Sequence, residues 1–444
     1  MKNLIQNLQL TSRFFLVLAA LVVLFCLCFP YPSLLGLSKG FLLIFGALLV
    51  ADIVLLFSRK TILLAKRDVP ALFSLGDDNG VGIHIRNVSN QPLRLQVYDE
   101  LPKQFQERSF EMNFMLGPGK DRIAKHMLNP KTRGEYHFGV INVIARSVLG
   151  MVARRNRLGE PAMVPVYPSI IQMKKFELQA FARISNFEGI KKVRRLGHSY
   201  EFEQIKQYVQ GDDIRSINWK ATGRRSNLMV NQYEDERAQQ IYSIIDKSRS
   251  MRMPFNGLSL LDYAVNTSLV ISNIALKKHD KAGLITYSNK IGSTIKAERS
   301  RQQLKKILHA LYNEREHLLE ANYQLLYQAV KNVIKSRSLI FLYLNFESAY
   351  AMERALPLLK KINHSHLLVL MIFENTELEE YIHRDVELIQ DIYTKTIAHK
   401  LLLEKKHLVL KLRKYGIQTI LTRPEDLSMN TVNKYLELKS KGLI

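Results

Sequence analysis

Two apolar runs near the start of the chain constrain its architecture more than anything that follows. Residues 14–29 read FFLVLAALVVLFCLCF and residues 41–57 read FLLIFGALLVADIVLLF. Each is slightly shorter than the ~20 residues that cross a bilayer, but flanking residues such as Leu34, Leu35 and Leu37 can extend them. The link between them, PYPSLLGLSKG, is rich in turn formers and holds one lysine. Basic residues gather on the other flanks: Lys2 and Arg13 before the first run, then Arg59, Lys60, Lys66 and Arg67 after the second. The positive-inside rule then predicts a transmembrane helical hairpin in residues 1–67, with both ends in the cytoplasm. A cleaved signal peptide is the weaker reading, because no small-residue cleavage site follows and a second apolar run does. Asp52 lies inside the second run, where charge is costly. A partner on another copy's helix, and hence an oligomer, is one expectation for it.

The period changes to two after the hairpin. In GVGIHIRNVS, Val81, Ile83 and Ile85 share one side, and LRLQVYDELP and EYHFGVINVIA alternate likewise. Turn signals separate these runs at 77–80, 90–92, 117–119 and 133–134. Short punctuated strands over residues 68–170 predict a small β-sandwich.

The chain has 444 residues, 47% of them hydrophobic, so two or three packed domains are expected and disorder is not. Its only cysteines, Cys26 and Cys28, fall in the first apolar run, which excludes a disulfide framework and a soluble cysteine metal cluster. The formal charge of +24 calls for a negatively charged neighbour: a membrane face, an acidic protein or nucleic acid. Basic pairs concentrate in a connector, residues 171–238, at Lys191, Lys192, Arg194 and Arg195. A solvated helical face is the plain reading of that segment. Contact with anionic lipid is the sharper one, and nucleic acid ranks below it because no binding motif or regular aromatic spacing accompanies the charge.

From residue 239 to 444 apolar strands alternate with amphipathic helices. QIYSIID, AGLITYS, SLIFLYLNF, HLLVLMIF and IQTIL read as buried strands, with STIKAE as an antiparallel neighbour of the second. Helices are expected at 258–278, 300–313, 325–334, 376–414 and 428–440. Such alternation predicts a doubly wound α/β sheet with binding groups at the carboxyl ends of its strands. The first strand ends in Asp246-Lys247-Ser248-Arg249-Ser250, a D-x-S-x-S sequence. One carboxylate and two hydroxyls on a tight loop supply three of the oxygens that a hard divalent cation wants. The bland alternative is that these groups hydrogen-bond their own loop.

At these residues the domain resembles a von Willebrand factor A domain and its metal-ion-dependent adhesion site. The resemblance implies Mg²⁺ or Mn²⁺ held by Asp246, Ser248, Ser250 and Asn345. The site is degenerate: Asn345 stands where such domains carry an aspartate, Tyr323 lies near the expected threonine, and Lys247 and Arg249 add positive charge. Ser248 as a catalytic nucleophile would need a positioned base. The motifs G-x-S-x-G, H-E-x-x-H and G-x-x-x-x-G-K-[ST] are absent from the chain. A non-enzymatic protein is therefore expected, with a metal-dependent hydrolase as the alternative.

The most specific stretch is QGDDIRSINWKATGRR, residues 210–225, which carries the only tryptophan. Asp213 is a suitable N-cap for a short helix, with Ile214, Ile217 and Ala221 on one face and Gly223 as its C′ residue. Trp219 would then fill a gap, and the run would be a structural junction. Its G-D-D-x-R-x-I-N-W-K pattern (Gly211, Asp212, Asp213, Arg215, Asn218, Trp219, Lys220) resembles the bacterial family known as domain of unknown function 58. Hairpin, β module with D-E-L-P and V-Y-P, and A-type domain all fit that resemblance. It implies work beside a MoxR-type AAA+ ATPase on client proteins, in assembly, chaperoning or stress response. For this chain that means an adaptor or scaffold on the cytoplasmic face of the inner membrane.

Overall fold

The computed structural model describes residues 7–58, 62–106, 110–187, 201–210, 212–225, 227–234, 238–383 and 389–443. They form two compact units, Met1–Ser169 and Ile170–Ile444.

In the first unit, strand β1 (Leu8–Leu10) leads into helix α1 (Ser12–Leu27), and a single 3-10 turn, Pro32–Leu34, leads into helix α2 (Leu35–Phe57). The stretch Pro32–Phe57 is long and apolar enough to cross a membrane, and α1 is a shorter apolar helix. The two touch at both ends of α1. Phe14 meets Phe45 with ring centroids 5.4 Å apart, and Cys28 Sγ lies 3.0 Å from Ser38 Oγ.

The rest of this unit is β2 (Leu63–Asp68), β3 (Phe73–Ser74), β4 (Asn79–Asn87), β5 (Leu93–Asp99), β6 (Phe110–Leu116), β7 (Asp121–Leu128), β8 (Gly134–Phe138), β9 (Ile141–Arg146), β10 (Val152–Leu158) and β11 (Ala162–Tyr167). The strands form sheets β1-β10-β9-β5-β6, β2-β4-β7 and β3-β11-β8. Alternation decides which side is buried. Ile83 and Ile85 of β4 face Leu95 and Val97 of β5 and Val143 and Ala145 of β9 in one core shared by the first two sheets. The D-E-L-P residues serve this structure: Asp99 pairs with Arg67 in the interior, and Glu100 accepts from Asn142 Nδ2 at 2.6 Å.

Asp52 finds hydrogen-bond partners within its own chain. Its Oδ2 accepts the backbone N–H groups of Met151 and Val152, each at 2.9 Å, and its Oδ1 accepts the Ser147 hydroxyl. The reason is geometric: the end of α2 packs on the β module, so the carboxylate meets the β9–β10 turn.

The second unit begins with α3 (Ile170–Phe187). The first part of the segment read as a connector is thus a helix of the α/β unit. Ile170, Met173 and Phe176 pack on that unit's core, and Glu177 accepts from Asn273. Strands β12 (Glu201–Gln207) and β13 (Met229–Glu234) pair as a separate antiparallel ribbon, with the short helix α4 (Trp219–Arg225) in their connection.

Next come β14 (Gln240–Asp246), the small ladder β15 (Pro254–Phe255) and β16 (Leu258–Ser259), α5 (Leu260–Lys277), β17 (Lys281–Tyr287), β18 (Ile291–Glu298), α6 (Gln303–Asn313), α7 (Tyr323–Val333), β19 (Leu339–Leu344), α8 (Ala349–Ser365), β20 (Leu367–Phe373), α9 (Thr376–His383), α10 (Ile389–Lys414), β21 (Gln418–Thr422) and α11 (Leu427–Ser440). The sheet order is β18-β17-β14-β19-β20-β21. All its pairs are parallel except β17 with β18 at the edge. Core clusters lie on both faces of the sheet, as a doubly wound arrangement requires. β14 sits between β17 and β19, so its carboxyl end opens onto the middle of the sheet edge.

Candidate functional site

Two places combine the residues singled out by sequence. The first is the carboxyl end of β14. Asp246 is fully buried and its Oδ1 accepts the Ser248 N–H at 2.8 Å, while its Oδ2 makes no hydrogen bond. Burial pushes this carboxyl up to about 7, opposed by the Ser248 N–H and by the hydroxyls of Ser248 and Ser250. Those hydroxyls lie 3.1 Å apart. Tyr323 opens α7 beside Tyr287 and Phe346, and burial together with the Asp246 charge raises its phenol.

Asn345 reaches the same loop, its Nδ2 donating to the Ser250 carbonyl at 3.2 Å. The oxygen it could offer a cation is already engaged, accepting from Lys405 Nζ of α10 at 2.9 Å. Burial draws that ammonium down to about 8, while Glu374 opposes the fall. Among the described residues no group of three or more His, Cys, Asp or Glu side chains could hold a metal. One carboxylate, two hydroxyls and an amide oxygen bound to an ammonium do not fit a resident Mg²⁺ or Mn²⁺. Lys405 is the residue that sequence reasoning missed here. Of the nearby cations, Lys247 is neutralised by Glu314 at 2.7 Å, and Arg249 pairs with Glu347 on the surface.

The second place is the arm made by β12, β13 and the G-D-D motif. Its polar members build the arm. Asp212 accepts from Lys206 Nζ at 2.7 Å and from the Val209 N–H at 3.0 Å, and the Lys206 hydrogen bond leads in holding its carboxyl below the usual range. Asp213 caps a 3-10 turn, Ile214–Ser216, by accepting the Arg215 N–H. Asn218 caps α4 by accepting the Ala221 N–H at 3.0 Å and ties to β13 through Asn231 at 2.8 Å.

The expected single helix with one apolar face is corrected. Ile217 bridges to Val230, α4 starts only at Trp219, and Gly223 lies within α4 rather than after it. The β-bridge takes Ile217 out of the helical register, so the apolar residues are split. Trp219 fills no gap: it is 71% exposed and Ile214 69%. Ile205, Val209 and Leu228 of the same arm are exposed as well. Arg215, Lys220, Arg224 and Arg225 are all exposed among them. Exposed apolar residues, a tryptophan among them, and exposed cations thus occur together in the sequence of this arm. Lys191, Lys192, Arg194, Arg195 and Gly211 lie outside the described residues.

An uncharacterised Bacillus subtilis (strain 168) protein, YeaD, is 24% identical over 152 residues, which is 34% of this chain and 36% of that protein. The alignment thus spans about a third of that relative's length. Solved structures of the CARDB domain of Pyrococcus furiosus PF1109, in complex with di-metal ions, and of a PapD-like domain of human CEP192 share 15% and 11% identity. The matches cover 23% and 24% of this chain and 86% and 84% of those, at TM-scores of 0.17, which bear on neither fold nor function. The family model described as "Protein of unknown function DUF58" matches residues 204–380, from the motif arm into α9, and with the YeaD likeness it supports placing this chain with the DUF58 family.

Proposed function

We propose that this protein is a membrane-anchored, non-enzymatic adaptor whose motif arm docks an acidic face of a partner, most simply a MoxR-type AAA+ ATPase acting on client proteins. In this reading α1 and α2 form the transmembrane hairpin in a bacterial cytoplasmic membrane, and both soluble units lie in the cytoplasm. The sheet order with one antiparallel edge strand, and the D-x-S-x-S loop at the end of β14, support a von Willebrand A-like assignment for the second unit.

The observation that carries the proposal is Trp219. A large aromatic side chain held 71% exposed on a capped helix, in a run where Ile214, Arg215, Lys220, Arg224 and Arg225 are exposed as well, has the composition of a contact surface. The basic rim selects an acidic partner and makes capture salt-dependent. Tagged full-length protein, released gently from membranes, should recover the ATPase with a yield that falls as salt rises. Trp219→Ala should abolish that recovery. Equal recovery with Trp219→Ala would remove the arm from the interface, and failure of the unmodified protein to recover any such ATPase would remove the partnership.

A further inference from the structure

Building on the membrane reading above, we infer that the turn 147–150 between β9 and β10 is a third membrane contact, lying in the lipid interface beside the two helices with Val148 directed into it. The last third of α2 belongs to the β module: Leu56 is fully buried, and Leu49, Ile53 and Phe57 pack on the same core. Arg154 Nη1 donates to the Leu56 carbonyl at 2.7 Å, with its guanidinium carbon 5.0 Å from the Phe57 ring centre. Asp52, held by two backbone N–H groups and the Ser147 hydroxyl, belongs to this docked part, so α2 crosses the hydrocarbon boundary just before it.

The other helix reaches the same turn. Leu10 of β1 pairs with Val152, the Thr11 hydroxyl donates to the Gly150 carbonyl at 2.6 Å, and the Thr11 N–H donates to the Met151 carbonyl at 3.1 Å. Arg13 lies against Gly150, where an added Cβ would stand 3.2 Å from its Nη1. One helix therefore enters and the other leaves the bilayer at residues 147–152, and the Phe14–Phe45 contact places the first buried layer just inside.

The turn is suited to that depth. The Leu149 and Gly150 N–H groups donate to Ser147 Oγ at 3.1 and 3.3 Å. Backbone groups satisfied in this way can enter a poorly hydrated zone at little cost. Val148 is 57% exposed, and Val54 of α2 and Leu10 of β1, on the two segments that meet this turn, are exposed as well. The free spans are short: α1 is 16 residues, about 24 Å, and the part of α2 before Asp52 is about 25 Å. A hydrocarbon layer of about 30 Å then draws the module against the surface. Arg13 is placed to meet lipid phosphate.

The experiment uses full-length protein in phosphatidylcholine–phosphatidylglycerol vesicles. Trp219→Phe removes the only tryptophan, and a single reporter is then introduced as Val148→Trp, Leu43→Trp or Met127→Trp. Leu43 is 75% exposed on α2, and Met127 is 70% exposed where β7 pairs with Gly80, at the far end of β4 from Asn87. The expected result is blue-shifted emission for Val148→Trp with strongest quenching by lipids brominated near the headgroup. Leu43→Trp should be quenched best by deeply brominated lipids, and Met127→Trp not at all. Water-like, unquenched emission at 148 with quenching at 43 would overturn the third contact and leave the anchor standing. Silence at both positions would overturn the anchor with it, and quenching at 127 as strong as at 148 would overturn the assignment of the contact to the turn.

Discussion

Asp246 shows what burial does to a single side chain. Its carboxyl is raised from 3.8 to about 7 because the charged form loses water and gains few hydrogen bonds in return. Between those values the folded state keeps a proton that the unfolded state releases, so stability falls as pH rises from about 4 to 7. The slope approaches about 1.4 kcal/mol per pH unit. Asp246→Asn keeps an oxygen for the Ser248 N–H and cannot ionise, so urea unfolding of the full chain in detergent should show that component of the slope removed. Parallel slopes for the two proteins would contradict the burial argument. The D-x-S-x-S loop was legible in the sequence because its members are neighbours and an apolar strand precedes them. Lys405 was not, because it lies 60 residues from Asn345 on a helix whose inward face depends on tertiary packing.

Among the elements, the motif arm divides its residues between building and presenting. Asn218 caps α4 and ties it to β13, so Asn218→Ala should loosen the arm by about 1–2 kcal/mol, read as faster hydrogen exchange along β12 and β13. Trp219→Ala should leave that exchange and the melting temperature unchanged, since the ring packs on little in the free chain. Faster exchange or a lower melting point with Trp219→Ala would return the tryptophan to a structural role. The cap at Asp213 could be read from local chemistry. The exposure of Trp219 could not, because it depends on the Ile217–Val230 bridge, which splits the apolar residues. Strand β1 was equally hidden: three residues show no period, and their partners in β10 lie more than 140 positions away.

At the scale of the molecule, the alternation of strands and helices in residues 239–444 gave the doubly wound sheet its order, because buried parallel strands read as continuous apolar runs. The attachment of α1 and α2 to the β module at one turn was not visible, since it needs contacts between residues about 100 apart or more. That attachment puts both outer helix ends on the module's side. A reporter enzyme active only outside the cytoplasm should therefore work when fused between α1 and α2 and be silent at the C-terminus; the reverse pattern would contradict the orientation. The central claim, that the motif arm is where a partner docks, is tested most directly by a photo-crosslinking amino acid placed at 219 in living cells, with one at the exposed Tyr350 of α8 as reference. The account predicts a salt-sensitive adduct with an acidic AAA+ ATPase at 219 and none at 350. Identical adduct patterns at the two positions, or none at 219, would contradict it.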